Sequence, residues 1–166
     1  MFSGCGQEGL QMAPNQVDAW LVQNEAAISS IVEDFRGEPC LCRVELGSME
    51  YIDQNCKSTH EIEFKIKKVQ SKVSELGVVL ATSYHADDGR LNTSIIINRQ
   101  GIAVSGGGLA IEYWTSLRAH WQAHLECGEL IQLSKPGWYA EIMHSEPSCA
   151  SNKSSKSVMS VRKQRT

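Results

Sequence analysis

Several features that would place a protein in a functional class are missing from this sequence. No apolar run approaches the ~20 residues needed to cross a bilayer, so no membrane span is predicted. The opening stretch, MFSGCGQEGL, lacks both the basic flank and the apolar core of a secretory signal. The chain also contains no P-loop, no dinucleotide-binding motif and no His-Glu-x-x-His metalloprotease motif. These absences predict a cytoplasmic protein and offer no evidence of catalysis.

Positive charge is scarce outside the C-terminal end of the chain. The formal net charge is −3, yet residues 151–166 carry five cations and no acid. The rest of the chain therefore has a formal charge of −8, which does not favour binding to nucleic acid. The basic tail is able to touch nucleic acid or an acidic partner, but a solvated end that aids solubility is the favoured interpretation.

The chain does contain enough apolar sequence for one folded domain. Hydrophobic residues make up 42% and charged residues 21%, as in a typical globular protein. Residues 1–14 have no periodicity and are predicted to be a disordered leader, with Met12 as an alternative start to Met1. Residues 15–146 are predicted to form a single α+β domain, and residues 147–166 a disordered basic tail rich in Ser and Lys.

Two stretches combine helical spacing of apolar residues with signals at both ends. Residues 15–36 begin at a capping pair and end at Gly37. Residues 59–76 follow a Ser58–Glu61 capping pair and end at a glycine. The first turn of the second stretch also alternates as a strand does, but its length and its two end signals favour a helix.

A third helix is predicted between glycines over residues 106–128. At about 100° per residue, one face carries five apolar residues: Ala110, Trp114, Leu117, Trp121 and Leu125. A second stripe flanks that face: Tyr113, His120, His124 and Cys127. We therefore expect two indole rings to anchor this helix in the core and the second stripe to lie half-buried at its rim.

The remaining segments have the composition and turn boundaries of strands. They are residues 40–46, 78–84, 93–98, 102–104, 130–133 and 138–143, with 50–53 as a weaker candidate. The predicted fold class is α+β, a single domain with about three helices packed on a mostly antiparallel, curved sheet of five or six strands. The apolar run Ile95–Ile97 predicts a strand buried on both faces. A second copy of the chain would cover the face that the helices leave open, so we predict a homodimer.

A glycine cluster before the third predicted helix offers backbone N–H groups to an anion. Its members are Ser105, Gly106, Gly107 and Gly108. The glycines are contiguous, and neither Lys-Ser nor Lys-Thr follows them, so the cluster matches no phosphate-binding motif. A flexible connection is the favoured interpretation. The alternative is an anionic ligand in a cleft between this loop and the helix edge at Tyr113, His120 and His124.

Two sets of residues have spacings related to those of metal sites, and no metal is predicted at either. His120, His124 and Cys127 would converge from one helix face, but the glutamate of the helical zinc motif is missing. The second set joins the Cys40-x-Cys42 pair to Cys56 and His60, and its first spacing is too tight for zinc. Without an export signal, the six cysteines are predicted to be reduced.

The leading functional hypothesis is a cytoplasmic protein-binding module without catalysis or cofactor, assembled as a homodimer. Trp138 and Tyr139 follow a Pro-Gly turn and are candidate contact anchors for the partner. The alternative hypothesis is a small-molecule-binding protein or small enzyme that uses the cleft beside Gly106–Gly108.

Overall fold

The computed structural model describes residues 8–45, 50–52, 56–57, 59–86, 88–100, 107–117 and 121–143. The predicted basic tail at 147–166 and the predicted strand at 102–104 lie outside the described residues. Residues 8–9 form a strand, so part of the stretch predicted to be a disordered leader belongs to the fold.

Four α-helices lie within the described residues: Val17–Gln23 (α1), Glu25–Arg36 (α2), His60–Leu76 (α3) and Gln122–Cys127 (α4). The helix predicted at 15–36 is confirmed, but Asn24 divides it into α1 and α2. The Asn24 side chain donates through Nδ2 to the carbonyl oxygen of Trp20 at 2.9 Å, and its φ of −110° leaves the helical range. None of the helices within the described ranges is long and apolar enough to span a bilayer.

Helix α3 confirms the helical interpretation of residues 59–76. Thr59 caps it, because its Oγ1 accepts a hydrogen bond from the backbone N–H of Ile62 at 3.2 Å. The helix ends at Gly77, whose φ of 68° is a left-handed conformation that favours glycine. The stripe expected from the sequence is buried: Ile62, Ile66, Val69, Val73 and Leu76. With this stripe, α3 packs against α2 and the sheet.

The sheet is antiparallel throughout the described residues. Its strands are Glu8–Gly9 (β1), Leu41–Glu45 (β2), Glu50–Ile52 (β3), Leu80–His85 (β4), Leu91–Gln100 (β5), Gly107–Trp114 (β6), Leu130–Gln132 (β7) and Trp138–Met143 (β8). The order is β3-β2-β4-β5-β6-β8-β7, and β1 also pairs with β5. The predicted α+β class, with helices packed on an antiparallel sheet, is confirmed. The described residues form eight strands, more than the five or six expected, and β1, β3 and β7 have three residues or fewer.

Alternation along the strands gives the sheet two different faces. The helix face, covered by α1, α2 and α3, carries the main core, which includes Ile95, Ile97 and Ile111. The second face, on the other side, carries a small separate apolar cluster: Leu80, Ile96 and Ala110. The three isoleucines at 95–97 are 0%, 8% and 0% exposed, so burial of β5 on both faces is confirmed.

The predicted helix over residues 106–128 is wrong. Residues Gly107–Trp114 form β6, a strand between β5 and β8, and α-helix in the described part of this stretch is limited to Gln122–Cys127. A strand with a neighbour on each side has a nearly continuous apolar sequence, which also produces helical spacings by chance. Trp114 and Trp121 do not anchor a common helix face. Both are half-buried, and their ring centroids lie 5.3 Å apart on the second face.

Gly108 has a packing role in β6. A Cβ atom at this position would lie 2.6 Å from the carbonyl oxygen of Asn98 and 2.6 Å from Cε of Met143. No such approach is tolerated by a real side chain, so glycine allows β5 and β8 to close on β6 here. The anion-binding interpretation of Gly107 and Gly108 required a helix N-terminus after them, and a strand stands there instead.

The cysteine prediction is wrong in part, since Cys40 and Cys56 form a disulfide with a Cα–Cα distance of 5.7 Å. Strand β3 returns alongside β2, with Leu41 opposite Ile52, and this pairing brings the two cysteines together. The zinc pattern at Cys40, Cys42, Cys56 and His60 is thereby excluded, because two of its thiolates are consumed. Cys127 is also disulfide-bonded.

Candidate functional site

The residues expected to form a cleft do not come together on one side of the sheet. Tyr113 lies on the helix face, where its ring packs 5.0 Å from that of Trp138 and its hydroxyl accepts from Nη2 of Arg36 at 3.2 Å. His124 lies in α4 and contacts Trp121, whose ring centroid is 4.6 Å away. Ser105, Gly106 and His120 lie outside the described residues.

The candidate contact anchors are also divided between the two faces. Trp138 is 7% exposed and belongs to the main core, so its ring is not presented to a partner. Tyr139, its neighbour in β8, is half-buried. It lies opposite Glu112 of β6, which places it on the second face.

The second face instead brings ionisable side chains together, and of these only His124 was a candidate from the sequence. Glu112 in β6 and Glu141 in β8 are diagonal neighbours on this face, because Glu141 pairs with Ala110 and Glu112 pairs with Tyr139. Glu112 is only 4% exposed. We name Glu112, Glu141, Glu129 and His124 the acid cluster.

Glu112 has three hydrogen-bonding partners around its carboxyl group. Nδ2 of Asn92 donates to Oε2 of Glu112 at 2.7 Å. Ser94, directly opposite in β5, also bonds to the carboxyl, and so does Glu141. Two carboxylates repel each other, so a hydrogen bond between Glu112 and Glu141 forms only when one of them carries a proton.

Electrostatics place that proton on Glu112 at neutral pH. Burial raises the pKa of Glu112 to about 8, and the negative charge of Glu141 adds to the rise, while hydrogen bonds from Asn92 and Ser94 oppose it. Burial also raises the pKa of Glu141; the hydrogen bond with Glu112 and the charge of His124 lower it. Glu112 is therefore a neutral hydrogen-bond donor at pH 7.

His124 is the basic residue of the acid cluster. Its Nδ1 lies 3.0 Å from Oε2 of Glu129, an ion-pair distance, and Glu129 is 7% exposed. Helix α4 ends at Gly128, whose φ of 73° turns the chain so that the backbone N–H of Glu129 donates to the carbonyl oxygen of His124 at 3.0 Å. The short helix thus holds His124 over the end of the sheet that carries Glu141.

A small recess with a cavity volume of about 10 Å³ opens on the same face, beside the acid cluster. It lies between the β4–β5 turn and the end of β6, and its lining residues are Tyr84, Ala86, Arg90, Leu91, Asn92, Trp114 and Ser116. Asn92 belongs to both regions, since its Nδ2 bonds to Glu112. The recess and the acid cluster are therefore linked by one side-chain amide.

Two hydrogen-bond donors that line this recess are buried and have no acceptor within the part of the chain that the structure describes. They are Nε1 of Trp114 and Nε of Arg90. A buried donor without an acceptor lowers the stability of the fold by roughly 1–3 kcal/mol. Such donors are therefore uncommon unless a water or a ligand accepts a hydrogen bond from them. The recess is thus built to accept a group that carries lone pairs.

The described side chains do not provide a metal site. No group of three or more His, Cys, Asp and Glu residues among them is arranged to hold an ion. The predicted set of His120, His124 and Cys127 is not available as a set, because Cys127 is disulfide-bonded and His120 lies outside the described ranges.

Comparisons with protein family models, with curated proteins and with solved structures find no match to this chain. Function must therefore be inferred from the site itself.

The sequence contains one signal that would have pointed to the acid cluster. Glu112 stands alone within the strand-like run Leu109–Trp114, and Glu141 stands alone within Trp138–Met143. An isolated acid in an apolar strand between two neighbours is forced into low dielectric. The helical interpretation of residues 106–128 hid this signal, since it placed Glu112 away from the apolar stripe.

Proposed function

We propose that this chain is a small-molecule-binding module whose ligand places an acceptor atom in the recess and interacts with the acid cluster through Asn92. The observation that carries this proposal is a neutral, buried Glu112 held by an amide that also lines a recess. Burial of a carboxyl pair opposes folding. Titratable groups with strongly shifted pKa values beside a cavity are characteristic of ligand sites.

Binding is proposed here in preference to catalysis. The Asn92 amide stands between the recess and the carboxyl groups, and an amide neither gives nor takes a proton readily at neutral pH. A ligand in the recess would therefore sense the charge of the acid cluster through a hydrogen bond. It would have no carboxylate in direct contact to act as a general acid or base.

A fragment screen observed by two-dimensional NMR tests this proposal. Bound fragments should shift the indole N–H signal of Trp114 and the side-chain amide signals of Asn92, because both groups line the recess. Asn92→Leu should remove the link to Glu112 and weaken these fragments, whereas Gln132→Leu, an exposed polar-to-apolar change in β7, should not. Hits that shift only signals remote from the recess would contradict the proposal.

A protein-binding module that forms a homodimer is the second candidate. Phe64 favours it, because this side chain is 69% exposed on α3, outside the buried apolar stripe of that helix. Sedimentation equilibrium of the full chain tests the dimer. Phe64→Ser should shift the mass towards the monomer, and Lys67→Ser, also exposed on α3, should leave it unchanged; a monomeric parent chain would refute this candidate.

The disulfide bonds argue against the cytoplasmic location that we expected from the sequence. Cys40, Cys56 and Cys127 are all disulfide-bonded, and such bonds persist mainly in oxidising compartments. We therefore propose that the chain functions where thiols are oxidised. Maleimide labelling of the protein in its native cell, before and after reduction, distinguishes the two locations: labelling of these cysteines without prior reduction would support the cytoplasm.

A further inference from the structure

The recess on the second face has room for a single oxygen atom. Its cavity volume of about 10 Å³ is roughly what one water molecule needs. A carboxylate, a phosphate group and a ring are all larger than this space. The recess therefore holds one water or one atom of a ligand, and the remainder of any ligand lies outside it.

Two hydrogen-bond donors among the lining residues determine that this atom is an acceptor. Arg90 stands two residues before Asn92, and Trp114 pairs with Asn92, so alternation places all three side chains on the second face. Nε1 of Trp114 and Nε of Arg90 are buried and have no acceptor among the described residues. An oxygen atom has lone pairs for both donors, whereas an ammonium group has none.

Asn92 adds an acceptor to the two donors. Its Nδ2 donates to Oε2 of Glu112 at 2.7 Å and to the carbonyl oxygen of Tyr113 at 3.4 Å. Both bonds use the donor side of the amide, so Oδ1 is the atom through which this side chain can accept a hydrogen bond. A hydroxyl oxygen accepts from Trp114 and Arg90 and also donates to Oδ1, whereas a carbonyl oxygen has no proton to donate.

The charges around the recess favour a neutral group. The guanidinium group of Arg90 is paired through Nη2 with the carboxylate of Asp88, which compensates its positive charge. The acid cluster lies beyond Asn92 on the same face, and a carboxylate there repels an anion. A hydroxyl group meets neither penalty, because it carries no charge.

We propose that the recess binds one hydroxyl group of a neutral aliphatic alcohol, a class that includes the sugars. The hydroxyl takes the place of one water and reproduces its hydrogen bonds, so little is lost when that water leaves. The carbon skeleton lies outside the recess against Tyr84, which lines the mouth and is 57% exposed. This inference rests on the proposed function and specifies its ligand class.

Four probes with the same ring size and different polar groups test the ligand class: cyclohexanol, cyclohexanone, cyclohexylammonium and cyclohexanecarboxylate. Each is titrated into the full, oxidised chain at pH 6.5 and followed by the four indole N–H signals of the chain. Trp114→Phe identifies the Trp114 signal by its disappearance. Cyclohexanol should shift that signal and bind most tightly. Cyclohexanone should bind roughly threefold to tenfold more weakly, because it cannot donate to Asn92, and the two ions should bind least.

Two variants remove one donor each. Trp114→Phe keeps an aromatic ring without the N–H, and it should weaken cyclohexanol roughly threefold to tenfold, measured by the side-chain amide signals of Asn92. Arg90→Met should weaken it by a similar factor, and it provides an independent test if Trp114→Phe does not fold. The matched controls are Trp20→Phe in α1 and Arg36→Met in α2, on the helix face, which should leave the affinity unchanged.

The outcomes distinguish this inference from the proposed function. If the ketone or an ion binds at least as tightly as cyclohexanol, or if fragments shift the Trp114 and Asn92 signals and cyclohexanol does not, the ligand class is wrong while the binding module stands. If no probe or fragment shifts those signals, both are overturned. Cyclohexanol binding that is insensitive to Trp114→Phe and to Arg90→Met would also overturn the inference, because the hydroxyl group would then lie elsewhere.

Discussion

The two faces of the sheet bury different kinds of side chain, apolar on the helix face and ionisable on the second face. Two consecutive residues of β6 show the difference. Ile111 points to the helix face, is 0% exposed and joins the main core under α1, α2 and α3. Glu112 points to the second face, is almost equally buried, and lies among polar partners. Equal burial thus has opposite consequences: removal of the Ile111 side chain from water favours folding, and removal of a carboxylate opposes it.

This difference indicates where stability and function are located in the molecule. The helix face is covered by α2 and α3, long helices whose apolar stripes match the strands beneath them. The second face is covered over its acid cluster by α4, a helix of six residues without a buried side chain. Burial of several titratable groups in one place lowers stability. A binding site is expected in the region where such groups are nevertheless buried together.

The pH dependence of stability is the largest effect that separates the two faces. The pKa of Glu112 is raised from 4.5 in the unfolded chain to about 8 in the fold. Between these values the folded state keeps a proton that the unfolded state loses, so stability is full below about pH 4.5 and falls as the pH rises towards 8. The fall is of the order of 5 kcal/mol at most.

Urea denaturation at pH 5, 7 and 9 measures this dependence, and Glu112→Gln should flatten most of it. The charged or titratable groups that face Glu112 are Glu141 from β8 and, beyond it, His124 and Glu129; Asn92 and Ser94 face it from β5 without charge. A variant with the same dependence as the parent chain would show that Glu112 is ionised in the fold.

Truncation on the helix face should come next in size and should not depend on pH. Ile111→Ala removes buried apolar atoms and leaves a cavity, so we expect a loss of about 3 kcal/mol in the free energy of unfolding. The same urea experiment measures it at each pH. Phe64→Ala, an exposed apolar truncation, is the control and should change stability by less than about 0.5 kcal/mol; an equally small loss in Ile111→Ala would contradict the packing of β6 described above.

Removal of the Cys40–Cys56 disulfide should reveal how much of the helix face depends on covalent linkage. The two residues are 16 apart, and a loop of that length corresponds to about 3 kcal/mol or somewhat less. The double variant Cys40→Ser, Cys56→Ser should therefore lose about 2–3 kcal/mol. Cys42→Ser is the control, and a midpoint of denaturation no lower in the double variant than in this control would show that the bond adds no stability.

The smallest expected effect concerns His124 on the second face. The charge of His124 lowers the pKa of Glu141, so His124→Gln should raise that pKa and change stability by less than about 1 kcal/mol. Carbon-13 NMR of the side-chain carboxyl groups measures the titration of Glu141. A downward shift, or none, would show that His124 does not act on this carboxyl.

Apolar spacing and end signals in the sequence correctly predicted the helices whose formation depends on residues close together in the chain. Helix α3 followed from its apolar spacing and its C-terminal glycine, and the helix over 15–36 from the same kinds of signal. Strand β6 was missed because its residues also fit a helical stripe, and only pairing with β5 and β8 decides between the two conformations. The disulfide between Cys40 and Cys56 was missed since it depends on the return of β3 alongside β2.

The candidate site could not be predicted from local sequence patterns, because it also depends on the pairing of strands. Glu112 and Glu141 are 29 positions apart in the sequence, and they meet only because β6 and β8 are neighbours in the sheet. The expected cleft at Tyr113 and His124 relied on a helix that would have placed both on one edge. In a strand, Tyr113 points to the helix face, away from α4.

The sequence by itself determined an α+β domain, the apolar stripe and boundaries of α3, and the division of charge between an acidic body and a basic end. These properties depend on composition and on neighbours a few residues apart, so they survive without knowledge of the fold. Tertiary structure decided the conformation of residues 107–114, the pairing of Cys40 with Cys56 and the meeting of two carboxyl groups over Asn92. Each of these depends on which strands become neighbours, and long-range pairing is set by the packing of the whole sheet rather than by any local segment.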